Sequence, residues 1–125
     1  SVTTKSAEYI NKFNIILTSG RQLIQELSGG NQQKCIISKW LLSNPSILIL
    51  DEPTRGVDVG VKSEMYEIIN QLASMGTAII LISSELPEIL SLAHRIVVMR
   101  EGQITKILDN KDASQETIMK FAIST

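Results

Sequence analysis

The chain has 125 residues, of which 43% are hydrophobic and 20% charged, and its formal net charge is −1. These values are typical of an ordinary folded domain, and the charge leaves no electrostatic footprint for nucleic acid as a partner. No apolar run approaches the length of a membrane span, and no signal peptide opens the sequence. The single cysteine, Cys35, excludes an internal disulfide and fits a reducing compartment, so we expect a cytosolic chain in which Cys35 is a small buried hydrophobe.

The first 19 residues contain apolar side chains at helical spacing. They predict one helix that ends before Gly20, where residues 18–21 form a turn. The apolar face of this helix would consist of Tyr9, Ile10, Phe13, Ile16 and Leu17.

A glycine-opened helix follows in the stretch that organises the chain. Leu27-Ser28-Gly29-Gly30 precedes a segment whose helical spacing places four residues on one apolar face. Ser28 or Asn31 is a candidate N-cap, and the helix N-terminus, approached closely through glycine backbone, suits a phosphate. The four residues of the predicted apolar face are Ile36, Ile37, Trp40 and Leu41.

The next element is a short apolar run, residues 47–50, which is typical of a strand buried on both faces. It ends in Asp51 and Glu52, and Pro53 stops further pairing. Two carboxylates at the carboxyl end of a buried strand lie where open α/β sheets bind ligands. They could hold Mg²⁺ and orient a water molecule for phosphoryl transfer.

The order LSGGNQQK and then ILILDEP resembles the signature motif and the Walker B motif of the ATP-binding-cassette (ABC) ATPases. With DEPTRGVDVG and ISSELPE further on, the chain resembles the second, C-terminal cassette of the tandem-cassette ATPases that drive bacterial monosaccharide importers of the ribose, galactose and xylose type. The resemblance runs from Leu27 to the last residue, and residues 1–26 match loosely as the end of the helical subdomain. Residues 27–125 would then be the C-terminal half of an ABC ATPase core.

The resemblance implies roles for individual residues. Asp51 would serve Mg²⁺, and Glu52 would orient the attacking water as the catalytic residue. The signature would bind the γ-phosphate of an ATP held by the other cassette, chiefly through Ser28, Gly29 and Gly30. The full set of implied nucleotide-binding residues is Leu27, Ser28, Gly29, Gly30, Asn31, Gln32, Asp58 and Ser84.

Past the acids, the resemblance makes Gly56-Val57-Asp58 the D-loop, which crosses the dimer interface in this family, while Asp58 can also cap the next helix. That helix carries an amphipathic pattern and ends at Gly76. The run from Gly56 to Ser63 is not a P-loop, because its lysine does not directly follow the glycine and Asp58 would place negative charge in the cradle. The apolar positions of the helix are Val61, Met65, Ile68, Ile69 and Leu72.

Residues 78–82 predict a second buried strand, joined to the first by a right-handed parallel crossover. A short helix from Glu85 to about Ala93 follows. By resemblance, Ser84 stands where most ABC ATPases have the switch histidine. We expect Ser84 to act as the N-cap of this helix. The nucleotide site of this cassette would then lack an imidazole that senses phosphate. His94, the only histidine, lies too far along the chain to replace it and is predicted to be a surface or packing residue.

The last part of the sequence predicts a β-hairpin and a final helix. Residues 95–99 and 103–108 alternate in hydropathy around a Glu-Gly turn. Asp112 or Ser114 would cap the final helix. Its inward-facing residues would be Ile118, Met119 and Ala122.

The predicted fold class is α/β: a partial P-loop NTPase (ABC ATPase) fold with parallel core strands, packed helices and a C-terminal hairpin. No Walker A P-loop occurs in the sequence, so we expect half a cassette that is inactive alone, whether as a fragment, a split reading frame or a truncated product. In the intact protein it would form part of the ATP-hydrolysing subunit of a bacterial sugar importer.

The cofactors implied are ATP and Mg²⁺. The partners implied are the other cassette, the membrane-spanning permease subunits and, indirectly, a periplasmic sugar-binding protein, with no nucleic acid. The location implied is the cytoplasmic side of the inner membrane, where the protein would be peripheral. The alternatives are a soluble ABC-type ATPase of translation or DNA repair and a non-catalytic interaction fragment.

Overall fold

A computed structural model describes residues 4, 7, 8, 10, 11 and 29–123, without the side chain of Trp40. The elements are α1 Gly29–Leu41, β1 Ile47–Asp51, α2 Val59–Ser74, β2 Ala78–Ile82, α3 Leu86–Leu92, β3 Arg95–Arg100, β4 Gln103–Asp109, the 3₁₀ turn Asn110–Asp112 and α4 Gln115–Ala122. They form two compact units, residues 1–80 and 81–125. The five described residues before α1 are helical, while the rest of the predicted first helix and the predicted boundary at residue 26 lie outside the described residues.

Strands β1 and β2 pair with each other in a two-stranded sheet. The N–H of Ala78, the first residue of β2, donates to the carbonyl of Ser46, directly before β1, at 3.0 Å. Both strands therefore begin at the same edge, which is the parallel arrangement that a helical crossover produces. The predicted parallel pair is confirmed.

The prediction that these strands are buried on both faces is wrong for the described structure. In β1, Leu48 and Leu50 are buried, but Ile47 and Ile49 are 60% and 62% exposed. No residue of β2 is buried. A strand is buried on both faces only where both faces of its sheet are covered, and the described residues cover one face of β1.

We predict that the isolated 125-residue chain self-associates through this apolar face. Exposed isoleucines on a short sheet with open edges invite pairing with another copy. The double substitution Ile47→Thr/Ile49→Thr, which keeps strand propensity, should lower the light scattering of the purified chain. Leu48→Thr, its control on the buried face, should lower the melting temperature instead. A monodisperse unsubstituted chain would contradict this prediction.

Helix α1 buries a stripe that includes Ile37 and Leu41, as the sequence predicts. Ile36 is 43% exposed, so its predicted inward position is wrong, because it lies about 100° around the helix from Ile37. The helix begins at Gly29. Asn31 is therefore its third residue and not its cap, and Ser28 lies outside the described residues.

Helix α2 follows its predicted pattern. Four residues of its predicted apolar face are buried, and Val61 is half-buried. Gly76 adopts φ +96° just past the C-cap Met75, and its N–H donates to the carbonyl of Ala73. Glycine reaches this left-handed conformation without a Cβ clash, which confirms the predicted helix end. The buried residues are Met65, Ile68, Ile69 and Leu72.

The second unit is built on the predicted hairpin. Strands β3 and β4 pair antiparallel, with Arg100 opposite Gln103 and a bulge after Val98. Glu101 and Gly102 have φ of 51° and 78°, the two positive values of a type I′ turn. The buried core of this unit consists of Ile96, Val98 and Ile118.

Helix α4 packs on the hairpin and is capped by Ser114, whose Oγ accepts from the N–H of Thr117 at 3.1 Å. Asp112, the other candidate, lies in the 3₁₀ turn. The predicted inward position of Met119 is wrong, because it lies one position round the helix from the buried Ile118 and is 40% exposed. Helix α3 has Pro87 in its first turn, as predicted. The Asn110 side-chain amide donates to the carbonyls of Leu90 and Ala93 at its end.

Candidate functional site

The glycines of the signature motif are the first two residues of α1, and Asn31 and Gln32 complete its first turn. The first N–H groups of a helix have no partner within the helix, and its N-terminus carries a partial positive charge. The first turn of α1 contains no acidic residue that would neutralise this charge. A Cβ built on Gly29 would meet no atom within 4 Å, so this end of the helix has room for an anion. Leu27 and Ser28 lie outside the described residues.

Gly30 makes a close helix–helix contact with α2. A Cβ at Gly30 would lie 2.2 Å from Cγ1 of Val61, which is nearer than real Cβ atoms approach, and 3.0 Å from its Cγ2, which is a tight contact. Val61 is stiff because it branches at Cβ. Only glycine therefore allows the two helices to approach this closely, a function of Gly30 that the sequence alone did not indicate.

One turn further along, the two helices are joined by an ion pair. Lys34 Nζ of α1 donates to Glu64 Oε2 of α2. The side chain of Lys34 is 3% exposed and that of Glu64 is 46% exposed. Burial of an ammonium group is costly unless it is paired, so the lysine side chain is held against α2.

These two contacts fix which ends of the helices meet. Gly30 faces Val61, and the later Lys34 faces the later Glu64, so both chains advance in the same direction along the contact. The N-termini of α1 and α2 therefore lie side by side. The structure thus brings the signature glycines and the segment that ends in Asp58 to the same end of one helix pair.

Asp58 occupies the N-cap position of α2, as predicted, with an extended backbone. Its side chain makes no capping hydrogen bond, so the expected side-chain cap is not formed. The helix starts through the backbone, since the N–H of Lys62 donates to the Asp58 carbonyl at 2.9 Å. The carboxylate is exposed at the end of the helix pair.

Asp51 ends β1 with an exposed side chain, and Glu52 directly follows it. Glu52 has φ +50°, a left-handed conformation that costs a glutamate about 1–3 kcal/mol. The chain then forms hydrogen-bonded turns, in which Arg55 N–H donates to the Glu52 carbonyl at 3.2 Å and Val57 N–H to that of Thr54 at 3.3 Å. Thr54 is 1% exposed, so it anchors the loop between the acids and Asp58.

Ser84 belongs to the second unit and lies exposed between β2 and α3. The N-cap of α3 is Glu85, so the predicted capping by Ser84 is wrong. The neighbouring Ser83 takes part in the turn instead, because its Oγ accepts from the N–H of Glu85 at 3.0 Å. The serine nearer to the strand is in reach of this N–H, and Ser84 is directed to the surface.

The other reactive side chains named by the sequence are not site residues. Cys35 is half-buried, and burial raises the pKa of its thiol, which keeps it protonated and unreactive at neutral pH. His94 is exposed, as predicted. The described residues contain no group of three or more histidine, cysteine or acidic side chains that could hold a metal. No helix in the described part of the chain has both the length and the apolar character needed to cross a bilayer.

Comparison with known proteins shows what the chain is similar to. The ABC transporter family matches residues 2–55. Over 117 residues the chain is 52% identical to the ribose import ATP-binding protein RbsA of Clostridium tetani, a match that covers 94% of the chain and 23% of that protein. It is 57% identical over 114 residues to the protein of the same name from Geobacillus kaustophilus, a match that covers 91% of the chain and 23% of that protein. Residues 2–55 thus match the ABC transporter family, and more than nine tenths of the chain is similar to ABC-type import ATP-binding proteins.

Solved structures of ATP-binding cassettes have the same fold as this chain over about half of their length. An ATP-binding cassette of an ABC transporter, MJ1267, superposes with a TM-score of 0.81 at 24% identity and covers 98% of the chain and 50% of that cassette. A second cassette, MJ0796, dimeric and bound to ADP and Pi, gives a TM-score of 0.75 at 19% identity and covers 86% and 46%. The predicted partial ABC ATPase fold is confirmed. The chain spans about half of a cassette and 23% of the length of its curated relatives.

Sequence reasoning missed three residues of this arrangement. Lys34 and Glu64 are paired across 30 positions of sequence, and Thr54 is buried inside a segment that reads as a surface loop. The one available signal was Lys34, which lies four residues after Gly30 and therefore on the same side of the helix.

Proposed function

We propose that this chain is the signature-bearing part of the ATP-hydrolysing subunit of a bacterial ABC importer for simple sugars. The observation that carries the proposal is the pair of adjacent helix N-termini, which brings the signature glycines, at the anion-attracting start of α1, to the same end as Asp58. The identity of more than half to ribose import ATP-binding proteins supports a sugar of the ribose type as the cargo.

The signature glycines act on the terminal phosphate of ATP. Backbone N–H groups of Ser28, Gly29 and Gly30 bind the γ-phosphate of a nucleotide held by the other cassette. The open space at Gly29 and the absence of acidic residues from the first turn of α1 fit an anion. N–H donors that a helix already holds in place need not reorient as negative charge develops on the phosphate. They therefore stabilise the transition state. We include Leu27, Asn31, Gln32 and Asp58 among the proposed nucleotide-binding residues.

The acids after β1 serve a nucleotide bound to this cassette itself. Mg²⁺ is bound in such sites by one or two carboxylates together with phosphate oxygens and water, and the exposed Asp51 would be one of these carboxylates. Mg²⁺ supplies neutralisation of the charge on the transferred phosphoryl group. Glu52 accepts a hydrogen bond from the attacking water and so orients it toward the γ-phosphorus. The P-loop that holds ATP comes from residues outside this sequence.

The site that contains Glu52 is the weaker of two unequal sites, because Ser84 replaces the histidine that senses phosphate in most ABC ATPases. We therefore expect Glu52→Gln to leave at least about half of the ATP turnover of the assembled transporter. Steady-state phosphate release from the reconstituted complex measures this. Glu101→Gln is a matched control, because Glu101 has φ 51° and Glu52 has φ 50°. If Glu52→Gln lost nearly all turnover while the control Glu101→Gln kept it, the two ATP sites would be equivalent or coupled.

The partners of this function are the other cassette, the membrane-spanning permease and, through the permease, a periplasmic sugar-binding protein. Their arrangement requires that the protein is peripheral on the cytoplasmic side of the inner membrane. The exposed end of the helix pair at Asp58 is where the other cassette would contact this one.

Reconstitution of the full-length protein with its permease in liposomes tests the proposal. ATP hydrolysis should rise when a ribose-loaded binding protein is added, and labelled ribose should enter the vesicles only with ATP present. ATP hydrolysis by a protein that does not bind the permease would favour a soluble ABC ATPase. Absence of ATP hydrolysis both with and without the permease would favour the alternative that the chain is a non-catalytic interaction fragment.

A further inference from the structure

We propose that Lys34 is a positioning residue: paired with Glu64, it locks the signature helix to the helix that follows the D-loop, so that both loops approach the other cassette as one rigid body. This inference rests on the proposed function, because it concerns how the signature reaches its phosphate. Lys34 itself need not touch nucleotide.

The geometry carries the inference. Gly30 and Lys34 are four residues apart on α1, and Val61 and Glu64 are three residues apart on α2, so each helix presents two contacts on one side. A single contact would leave the helices able to pivot about it. Two contacts, one steric and one ionic, fix both their separation and their relative rotation.

The burial of the pair shows which partner is immobilised. Lys34 is almost fully buried, whereas Glu64 is about half exposed. The Ser38 hydroxyl also donates to the Lys34 carbonyl at 2.8 Å, within the same buried turn. Moving the Glu64 carboxylate away would leave the buried ammonium group of Lys34 without this compensating charge, so opening the pair costs more than opening one in which both partners are in solvent.

The consequence for catalysis is specific. The distance between a phosphate and the signature N–H groups depends on the position of the start of α1, and Lys34 sets that position through α2. Loss of the pair should misplace the signature relative to the D-loop and slow the chemical step. The affinity for ATP should not change, since ATP is held by P-loop residues outside this chain.

The experiment uses the full-length protein assembled with its permease and measures kcat and KM for ATP together with the melting temperature. Lys34→Gln and Glu64→Gln should each lower kcat about tenfold and leave KM within about twofold. The double variant should be no slower than either single variant, because both remove the same interaction. Lys34→Arg, which keeps the charge, should recover most of the turnover.

Matched controls come from the same two helices. Lys39 and Glu67 are exposed, and Lys39→Gln and Glu67→Gln should leave kcat unchanged. Wild-type turnover in Lys34→Gln, a rise in KM instead of a fall in kcat, or additive losses in the double variant would overturn the inference alone. So would a loss in kcat that follows the melting temperature and is not recovered by Lys34→Arg. Absence of ATP hydrolysis in the unsubstituted complex would overturn the proposed function, and this inference with it.

Discussion

Gly29→Asp is expected to reduce ATP turnover of the assembled transporter by about a thousandfold. The substitution places a carboxylate at the first residue of α1, against the γ-phosphate that the signature is proposed to bind. Two like charges about 4 Å apart in a partly desolvated site repel by about 4 kcal/mol, which corresponds to three powers of ten in rate. Phosphate release from the reconstituted complex measures the effect.

The fold should not suffer from this change. A Cβ at Gly29 meets no atom within 4 Å, and a negative charge in the first turn favours a helix. The melting temperature of Gly29→Asp should therefore equal or slightly exceed that of the unsubstituted protein. Gly29→Asn has the same size without the charge and should keep much more activity. Equal losses in the two variants would assign the effect to size and contradict electrostatic repulsion.

Gly30→Ala is expected to be damaging for a different reason. The added methyl group would lie 2.2 Å from Cγ1 of Val61, so α1 and α2 must separate or Val61 must leave its rotamer. Overpacking of this kind costs about 1–3 kcal/mol of folding free energy. Because the displaced helix carries the signature, turnover should also fall, by about a hundredfold for a displacement near 1 Å. Thermal melting and phosphate release measure the two effects.

The steric origin can be tested within the same pair. Val61→Ala removes both Cγ atoms and leaves only its Cβ, 3.1 Å from the added methyl group, so Gly30→Ala/Val61→Ala should recover part of the stability and part of the turnover lost in Gly30→Ala. Gly29→Ala makes the same chemical change one residue earlier in open space, and it should not lower the melting temperature. Failure of the double variant to recover any stability would mean that Gly30 matters through its backbone and not through contact with Val61.

The sequence predicted the local features of this fold because each depends on a few neighbouring residues. Gly76 ends α2, the Glu101-Gly102 pair turns the hairpin and Ser114 caps α4, in each case because the chemistry of one or two residues selects the backbone conformation. The motif around Asp51 placed the acids correctly at the end of β1.

The failures share a physical cause. An apolar run such as residues 47–50 indicates that a strand can be buried. Which of its two faces is covered depends on the other elements that pack on the sheet, and the run itself does not contain this information. The hydroxyl of Ser83 accepts from the N–H of Glu85, and the N-cap of α3 is Glu85 and not Ser84, an outcome that depends on the geometry of the turn. The helical pattern also wrongly placed Ile36 and Met119 on the buried faces of their helices. Residues one position apart point in directions that differ by about 100° around the helix axis, so a neighbour of a buried residue can be exposed.

The candidate site was predicted by residue type but not by arrangement. The signature and the residues around Asp58 were identified separately, and nothing in the sequence indicated that their helices lie side by side. That contact depends on Gly30 with Val61 and on Lys34 with Glu64, pairs about 30 residues apart in sequence. Such pairs form only when the strand between them returns the chain to the same layer.

The left-handed backbone of Glu52 implies that selection for thermostability and selection for catalysis oppose each other at this position. Glycine would relieve a strain of about 1–3 kcal/mol, and it would also remove the carboxylate proposed to orient water. A library ranked by resistance to heat alone should therefore enrich Glu52→Gly, and a library ranked by ATP turnover should deplete it by the share of turnover that this site supplies. At residue 52, a substitution chosen for stability alone would therefore lower the activity of the protein.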